Sequence, residues 1–220
     1  MKDREAAGKL ICLYNPKSPI AEAFRTLRTN IQFTAMNRGI KTIMITSALP
    51  GEGKSTIISN LAVAMAQSGK QVLLIDADFR RPDLHHIFRM PNNKGLSNVL
   101  MNQAEAGEVI SEVPDIWLDV ITSGQPPSSP ADLIGSRRMQ DLLEEVKEQY
   151  DVIFIDTPPI LAVTDPQLLA SFVDGVLLVI SSGKVSYDDA KKVKAMLEYV
   201  KANLIGTVLN DKEVETIAYY

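Results

Sequence analysis

The sequence has very few residues with which to build a metal or redox site. Its single cysteine, Cys12, cannot form an internal disulfide, and one thiolate cannot ligate an iron–sulfur cluster or an all-cysteine metal site. The only two histidines, His85 and His86, are adjacent and would not share a face of a helix. We therefore expect no metal site built on them, and we exclude an iron–sulfur carrier scaffold.

The sequence also lacks a net positive charge and long apolar runs. The net charge is -4, so the global electrostatic field gives no reason to expect a nucleic-acid partner. No apolar run approaches the length of a membrane span, and the N-terminus lacks the apolar segment of a signal peptide. We expect a cytoplasmic protein that reaches a membrane only through a partner.

The composition is that of an ordinary globular protein with a sizeable core. Hydrophobic residues make up 45% of the 220 positions and charged residues 23%. Strand-like apolar runs alternate with helical patterns along the whole length. This alternation predicts one α/β domain over residues 1–220, a three-layer fold in which about seven mostly parallel strands have helices on both faces.

A glycine-rich stretch between a predicted strand and a predicted helix indicates a phosphate cradle of the P-loop type. Gly51 and Gly53 allow the backbone to approach an anion, and Lys54 can reach the outer phosphates of a nucleotide. Ser55 offers a hydroxyl to a magnesium ion. The residues assigned to nucleotide binding are Pro50, Gly51, Glu52, Gly53, Lys54, Ser55 and Thr56.

Acidic residues follow two further predicted strands. Asp76 and Asp78 end the strand that begins near Gln71, and Asp156 ends the strand that begins at Asp151. Ligands of open parallel sheets sit beyond the carboxyl ends of the strands, so these carboxylates should lie beside the cradle. Carboxylates near a triphosphate require a cation, which predicts Mg²⁺ held by Ser55 and one or two of these acids.

The function of several other charged residues stays open from sequence alone. Arg80 and Arg81 could bind phosphate or the acidic flank of a substrate, or they could pair with surface acids. Glu22, Arg25 and Arg28 fall three apart on a helix predicted over residues 18–37. They form either a solvated face or a charged face that docks on another subunit.

Six further structural expectations follow from the pattern. Residues 1–17 should form a polar surface arm, and residues 104–115 an acidic surface excursion. Trp117 should be a packing residue, residues 131–150 should form one amphipathic helix, and Asp165 should help to cap the helix predicted over residues 164–172. Residues 211–220 should form a flexible tail. In a generic protein, two exposed tyrosines at such an end, here Tyr219 and Tyr220, would have no function or would be slightly adhesive.

Three segments together resemble the nucleotide motifs of the bacterial tyrosine kinases of capsule and exopolysaccharide biosynthesis. They are Ser-Ala-Leu-Pro-Gly-Glu-Gly-Lys-Ser-Thr, Leu-Leu-Ile-Asp-Ala-Asp-Phe-Arg-Arg-Pro and Phe-Ile-Asp-Thr-Pro-Pro. Glu22-x-x-Arg25-x-x-Arg28 resembles that family's oligomerisation motif, and the Tyr219-Tyr220 end resembles its autophosphorylated tail. The similarity extends from about Ser18 to Asn210.

The resemblance implies an ATP-dependent protein-tyrosine kinase with a fold related to the partition and cell-division-site ATPases. It implies that Asp76 acts on the tyrosine hydroxyl, that Lys54 and Asp78 are also catalytic, that Ser55, Asp78 and Asp156 serve magnesium, and that Asn210 contacts the nucleotide. It further implies ring-like homo-oligomers in which Tyr219 and Tyr220 are phosphorylated in trans. Its implied partners are protein-tyrosine substrates, a cognate phosphatase and a membrane-anchored activator, which would recruit the kinase through a cytoplasmic segment to the inner face of the membrane.

Two departures from the family pattern affect these expectations. The tail carries two tyrosines, whereas the family usually has a larger cluster, so the number of phosphorylation sites is open. Ala48 stands where a generic nucleotide-binding motif begins with glycine. The alternative function is a nucleotide switch of the partition-ATPase type without kinase activity. That class often has an extra lysine early in the cradle, whereas the residues before Gly51 here are Ala48, Leu49 and Pro50, with no lysine.

Overall fold

The computed structural model describes residues 9–36 and 38–211, which form a seven-stranded sheet with the order β3-β4-β2-β5-β1-β6-β7. Only β3 runs antiparallel, against β4, and the other pairs are parallel. This arrangement confirms the predicted mostly parallel sheet. The strands are β1 Thr42–Ser47, β2 Val72–Asp76, β3 Ile110–Val113, β4 Leu118–Ile121, β5 Val152–Asp156, β6 Gly175–Ser181 and β7 Leu204–Asn210.

Helices cover both faces of this sheet. They are α1 Ile11–Tyr14, α2 Pro19–Met36, α3 Lys54–Ala66, α4 Leu84–Ile87, α5 Leu96–Leu100, α6 Pro130–Ile134, α7 Arg137–Lys147, α8 Asp165–Ala170 and α9 Tyr187–Tyr199, with a 3₁₀ turn at Ala106–Glu108. None of the helices in the described ranges is long and apolar enough to cross a bilayer.

The core consists of two apolar clusters, one on each face of the sheet. Leu73 packs into a cluster with Met139 of α7, whereas its neighbour Leu74 packs into the other cluster with Leu61 of α3. Consecutive side chains of a strand point to opposite faces of the sheet. A strand whose consecutive side chains are both buried must therefore lie between two layers of helices. This explains why the central strands are continuous apolar runs and confirms the three-layer prediction.

The strand register brings the predicted acids together. Asp76 at the end of β2 is paired directly with Asp156 at the end of β5, and Asp156 is in turn level with Ile45 of β1. The cradle follows β1 two residues later. Both carboxylates therefore stand at the edge of the sheet from which the cradle emerges.

The expectation of a surface arm is wrong for the part of residues 1–17 that the structure describes. Leu10 and Cys12 are buried, and the Cys12 N–H donates to Asn60 Oδ1 of α3 at 2.9 Å. The polar composition and Pro16 concealed a short apolar run at 10–13 that packs on α3. Beyond it, Ser18 Oγ accepts the Ala21 N–H at 3.1 Å and Pro19 opens α2, which confirms the predicted helix start.

Four other expectations need correction. The stretch at 104–115 contains edge strand β3 as well as surface turns. The helix expected over 131–150 is broken into α6 and α7 at Gly135, because Ser136 caps a new helix by accepting the Met139 N–H at 3.2 Å. Trp117 is 62% exposed in the β3–β4 turn and so is not a packing residue. Asp165 contributes no side-chain cap to α8; its carboxylate binds Arg80 instead.

Candidate active site

The cradle joins β1 to α3 through two glycines in the left-handed region. Gly51 has φ +77° and Gly53 has φ +84°, conformations that residues with a Cβ rarely adopt. A Cβ at Gly53 would also come within 2.5 Å of Asn210 Nδ2. Because α3 begins at Lys54, its free N–H groups and the positive end of its dipole face the cradle, which suits a bound phosphate.

Glu52 fixes the cradle to the neighbouring strand from beneath. Its carboxylate, 1% exposed, accepts the N–H of Leu49 and, at 2.8 Å, the N–H of Ser181 at the end of β6. Its carbonyl accepts Asn210 Nδ2 at 3.0 Å. The structure thus places both Glu52 and Asn210 at the cradle, where their side chains hold its backbone.

Lys54 lies among the predicted acids. Its Nζ is 3.0 Å from Asp78 Oδ2 and 3.5 Å from Asp156 Oδ1, and both carboxylates are buried. Burial disfavours the charged ammonium, but the fields of Asp156 and Asp78 outweigh it and raise the pKa of Lys54. The structure therefore places the cradle lysine next to the strand-end acids, as the sequence predicts.

Asp76 is completely buried beside this group. Its oxygens accept the backbone N–H groups of Asp78 and Leu84, each at 3.1 Å. Burial and the neighbouring Asp156 carboxylate raise its pKa well above the ordinary value, although the two N–H groups and Lys54 oppose the shift. A carboxyl group with a raised pKa is a better proton acceptor near neutral pH than an ordinary aspartate.

Asp156 is a buried carboxylate whose neighbouring cation, Lys54, lies at ion-pair distance without forming a hydrogen bond to it. Both its oxygens are buried, and neither has a partner at hydrogen-bond distance and geometry within the described residues. Burial raises its pKa, while Lys54 and the Ser55 hydroxyl favour the charged form. Buried charges are expected to be paired or to coordinate a metal.

The donor set fits magnesium better than a metal that needs several protein ligands. Within residues 9–36 and 38–211, no group of three or more His, Cys, Asp and Glu side chains is arranged to hold a metal ion. Mg²⁺ keeps most of its waters and takes one or two carboxylates together with substrate phosphates. Ser55 and the buried acids Asp78 and Asp156 can supply that number of oxygens.

A cavity of about 370 Å³ opens over the cradle. Sequence reasoning did not assign four of its wall residues to nucleotide binding, and these follow β2 and β5: Arg81, Pro82, Asp83 and Pro159. The prolines after the two strand-end acids were the available signal. The remaining lining residues are Pro50, Gly51, Glu52, Gly53, Lys54, Ser55, Thr56 and Asp78.

The structure separates the two consecutive arginines. Arg80 forms a two-pronged ion pair with the buried Asp165, from Nε to Oδ2 at 3.1 Å and from Nη2 to Oδ1 at 3.2 Å. Arg81 instead lines the cavity. Of the two roles that the sequence left open, Arg80 therefore pairs with an acid, whereas Arg81 is placed where a ligand could bind.

The residues of the predicted oligomerisation helix lie on α2. Arg25 pairs with Glu22 one turn earlier, while Arg28 Nη1 donates to the Ala64 carbonyl of α3 at 3.3 Å. Arg28 Nε is buried without a hydrogen bond to the described residues. Tyr219 and Tyr220 lie outside the described residues.

Comparison with known proteins identifies the family. Residues 40–210 match the family described as AAA domain. The chain is 46% identical over 211 residues to tyrosine-protein kinase YwqD of Bacillus subtilis (strain 168), covering 96% of this chain and 89% of YwqD. It is 38% identical over 200 residues to tyrosine-protein kinase CpsD of Streptococcus agalactiae, covering 90% and 86%. This chain belongs to the bacterial tyrosine-protein kinases.

Solved structures agree with this assignment. The chimerical protein CapA2B2 superposes on the kinase with a TM-score of 0.90 and 43% identity, covering 94% of this chain and 91% of the chimera. A plasmid partition protein from Borrelia burgdorferi superposes with a TM-score of 0.61 and 21% identity, covering 80% and 84%. The second match shows a shared fold alone, so the partition-type alternative has no support beyond the architecture.

Proposed function

We propose that this kinase transfers the γ-phosphoryl group of ATP to Tyr219 and Tyr220 of another copy of itself within an oligomer, and thereby regulates capsular or extracellular polysaccharide synthesis. The observation that carries the proposal is the pairing of Asp76 with Asp156 beside Lys54, at the mouth of the phosphate cradle. This arrangement provides a proton acceptor, a place for a cation and a phosphate ligand at one edge of the sheet.

The residues around the cradle position ATP. Lys54 and the backbone N–H groups between Gly51 and Thr56 would hold the β- and γ-phosphates, with Pro50 at the rim. Ser55, Asp78 and Asp156 would hold Mg²⁺. A bound magnesium ion neutralises charge that develops on the phosphate oxygens. Release of Lys54 from Asp78 and Asp156 would let its ammonium turn to the phosphates.

Asp76 would accept the proton of the tyrosine hydroxyl. The phenol oxygen forms a bond to the γ-phosphorus, the bond from that phosphorus to the bridging oxygen breaks, ADP leaves, and the phenol proton passes to Asp76. Both oxygens of Asp76 are engaged by backbone N–H groups of Asp78 and Leu84. Each carboxylate oxygen can accept a second hydrogen bond, but Asp76 is fully buried, so we expect the segment between Asp78 and Leu84 to shift and expose it when the substrates bind.

Oligomerisation would deliver the tyrosines. Glu22, Arg25 and Arg28 on α2 would meet a neighbouring subunit, where the unbonded Nε of Arg28 could pair with a carboxylate. A tethered tail has a local concentration in the millimolar range, so a weakly specific site can still modify it. A membrane-anchored activator would recruit the cytoplasmic kinase to the inner face of the membrane. A cognate phosphatase would remove the phosphate from the tyrosines. The proposed function requires no nucleic acid.

Intact-mass spectrometry after incubation with Mg²⁺ and ATP tests this proposal. We expect mass gains of whole phosphates that map to Tyr219 or Tyr220 and disappear in Asp76→Ala. The experiment is run with and without the cytoplasmic segment of the activator. Consumption of ATP without a gain in protein mass under either condition would contradict the kinase function and favour a nucleotide switch.

A further inference from the structure

Arg81 lies on the wall of the cavity, and the proposed mechanism gives it no role. Its neighbour Arg80 is occupied by Asp165 through two contacts. The exposed guanidinium of Arg81 forms no hydrogen bond or ion pair within residues 9–36 and 38–211, and it lines the cavity. An arginine in this position is available to a ligand.

The position of Arg81 places it on the side of the tyrosine acceptor. Its backbone N–H donates to Asp78 Oδ1 at 2.9 Å, two residues beyond Asp76 at the end of β2. Asn210, the proposed nucleotide contact, is the last residue of β7, and β2 and β7 lie on opposite sides of β1 in the sheet. The cradle therefore separates Arg81 from the Asn210 side.

The other charged groups near this wall already have partners, but the acids Asp76, Asp78, Asp83 and Asp156 outnumber the lysines that pair with them. Asp83 binds Lys9 at 2.7 Å, and Lys54 lies between Asp78 and Asp156. An acidic peptide that approaches Asp76 would otherwise meet a group of buried carboxylates. Arg81 can offset that repulsion, because its planar guanidinium forms two parallel hydrogen bonds with a carboxylate.

We propose that Arg81 binds carboxylates next to the acceptor tyrosine, so that the kinase prefers tyrosines preceded by acidic residues. The sequence of the tail has this character, since Glu213 and Glu215 precede Tyr219 and Tyr220. The inference rests on the proposed function, because it names the class of acceptor for the same site. It adds a carboxylate-binding subsite to the nucleotide and proton-acceptor sites.

The test uses the full chain and a synthetic peptide that matches residues 212–220, in its natural form and with Glu213→Gln and Glu215→Gln. Peptide binding is measured by fluorescence anisotropy in the presence of Mg²⁺ and ADP, and steady-state phosphorylation gives separate KM values for peptide and ATP. For the unaltered kinase, we expect the glutamine peptide to have a KM about two- to fivefold higher, the range for one exposed charge pair. In Arg81→Ala the two peptides should be equivalent, with the KM for ATP unchanged.

Two controls make the result specific. Arg38→Ala removes one positive charge just before β1, at the opposite edge of the sheet, and should keep the preference for the glutamate peptide. Arg81→Glu should reverse the preference and favour a peptide with Glu213→Lys and Glu215→Lys. Recovery by this charge exchange would not follow from a purely structural role of Arg81.

The outcomes separate this inference from the function on which it rests. Equal KM values and equal affinities for the two peptides in the unaltered kinase would overturn the subsite while leaving tyrosine phosphorylation intact. A rise in the KM for ATP alone in Arg81→Ala would also overturn it, by making Arg81 a nucleotide ligand. Binding of the glutamate peptide that depends on Arg81, without any phosphorylation, would support the subsite and contradict the kinase function.

Discussion

Arg80 and Asp165 form an ion pair that joins the loop after β2 to the first residue of α8. The carboxylate of Asp165 is 1% exposed, whereas the side chain of Arg80 is 44% exposed. The pair links the two segments that follow the strand-end acids, Asp76 and Asp156. Its integrity should therefore matter both for folding and for the alignment of the site.

Arg80→Ala should lower the free energy of unfolding by about 1–3 kcal/mol, because it leaves a buried carboxylate without its charged partner. Urea denaturation measures the change, and Arg38→Ala is the control for loss of a surface arginine. The double variant Arg80→Ala, Asp165→Asn should recover part of the loss, since the unpaired charge is gone. An unchanged midpoint in Arg80→Ala would show that the pair contributes nothing to stability.

Gly53→Ala should weaken nucleotide binding, because the added Cβ lies 2.5 Å from Asn210 Nδ2 and displaces that side chain from the Glu52 carbonyl, in addition to the strain at φ +84°. Gly39→Ala is a matched control, since Gly39 has φ +64° with no atom within 4 Å of a new Cβ. Both variants should lose about 1–2 kcal/mol of stability from the left-handed backbone. Titration with a fluorescent ATP analogue should separate them, and equal affinities would show that the contact with Asn210 is tolerated.

The nucleotide-free protein should lose stability as pH rises from 5 to 8. The pKa of Asp76 is raised in the folded state, chiefly by burial and then by Asp156, so the folded state binds more protons than the unfolded state above pH about 4. Stability is therefore highest on the acid side of this window and declines as Asp76 ionises. Each unit of difference in pKa corresponds to about 1.4 kcal/mol.

Thermal unfolding across this pH range provides the measurement, with Asp76→Asn as the variant that should flatten the profile. Mg²⁺ with ADP should stabilise the protein more at pH 8 than at pH 5, because the cation favours the ionised carboxylates. A stabilisation that is independent of pH would contradict the assignment of the buried acids to cation binding.

Lys54→Met should abolish both nucleotide turnover and phosphotyrosine formation, since it removes the cation that faces the phosphates. It should also steepen the loss of stability with pH, because Lys54 lowers the pKa of both Asp76 and Asp156. Lys70→Met, which removes a half-exposed lysine just before β2, is the control for charge. Full activity in Lys54→Met would remove the cradle lysine from the mechanism.

Much of this fold is encoded locally and could be predicted. The buried parallel strands are continuous apolar runs, and the glycines and strand-end acids follow them directly, so β1, β2 and β5 and the convergence of Lys54, Asp78 and Asp156 could be anticipated. The paired register of Asp76 and Asp156 follows from adjacent parallel strands with equivalent ends.

Two of the errors, and the choice left open at Arg80 and Arg81, depend on contacts distant in sequence. Leu10 and Cys12 become core residues only because α3 offers Asn60 and an apolar face. β3 is an edge strand that exists by pairing with β4, and its short, partly exposed sequence carries little signal. The different fates of Arg80 and Arg81 depend on Asp165, which lies 85 positions from Arg80 in the chain.

The buried carboxylate of Glu52 has a consequence for how fast and how selectively nucleotides are captured. Because it already ties Leu49 to Ser181, the cradle keeps its curvature without a ligand, and little loop entropy remains to be lost on binding. The cradle should therefore bind the diphosphate portion of a nucleotide with a high association rate constant that is similar for ADP and ATP. Discrimination between ADP and ATP would then depend on how far the third phosphate of ATP draws Lys54 away from Asp78 and Asp156.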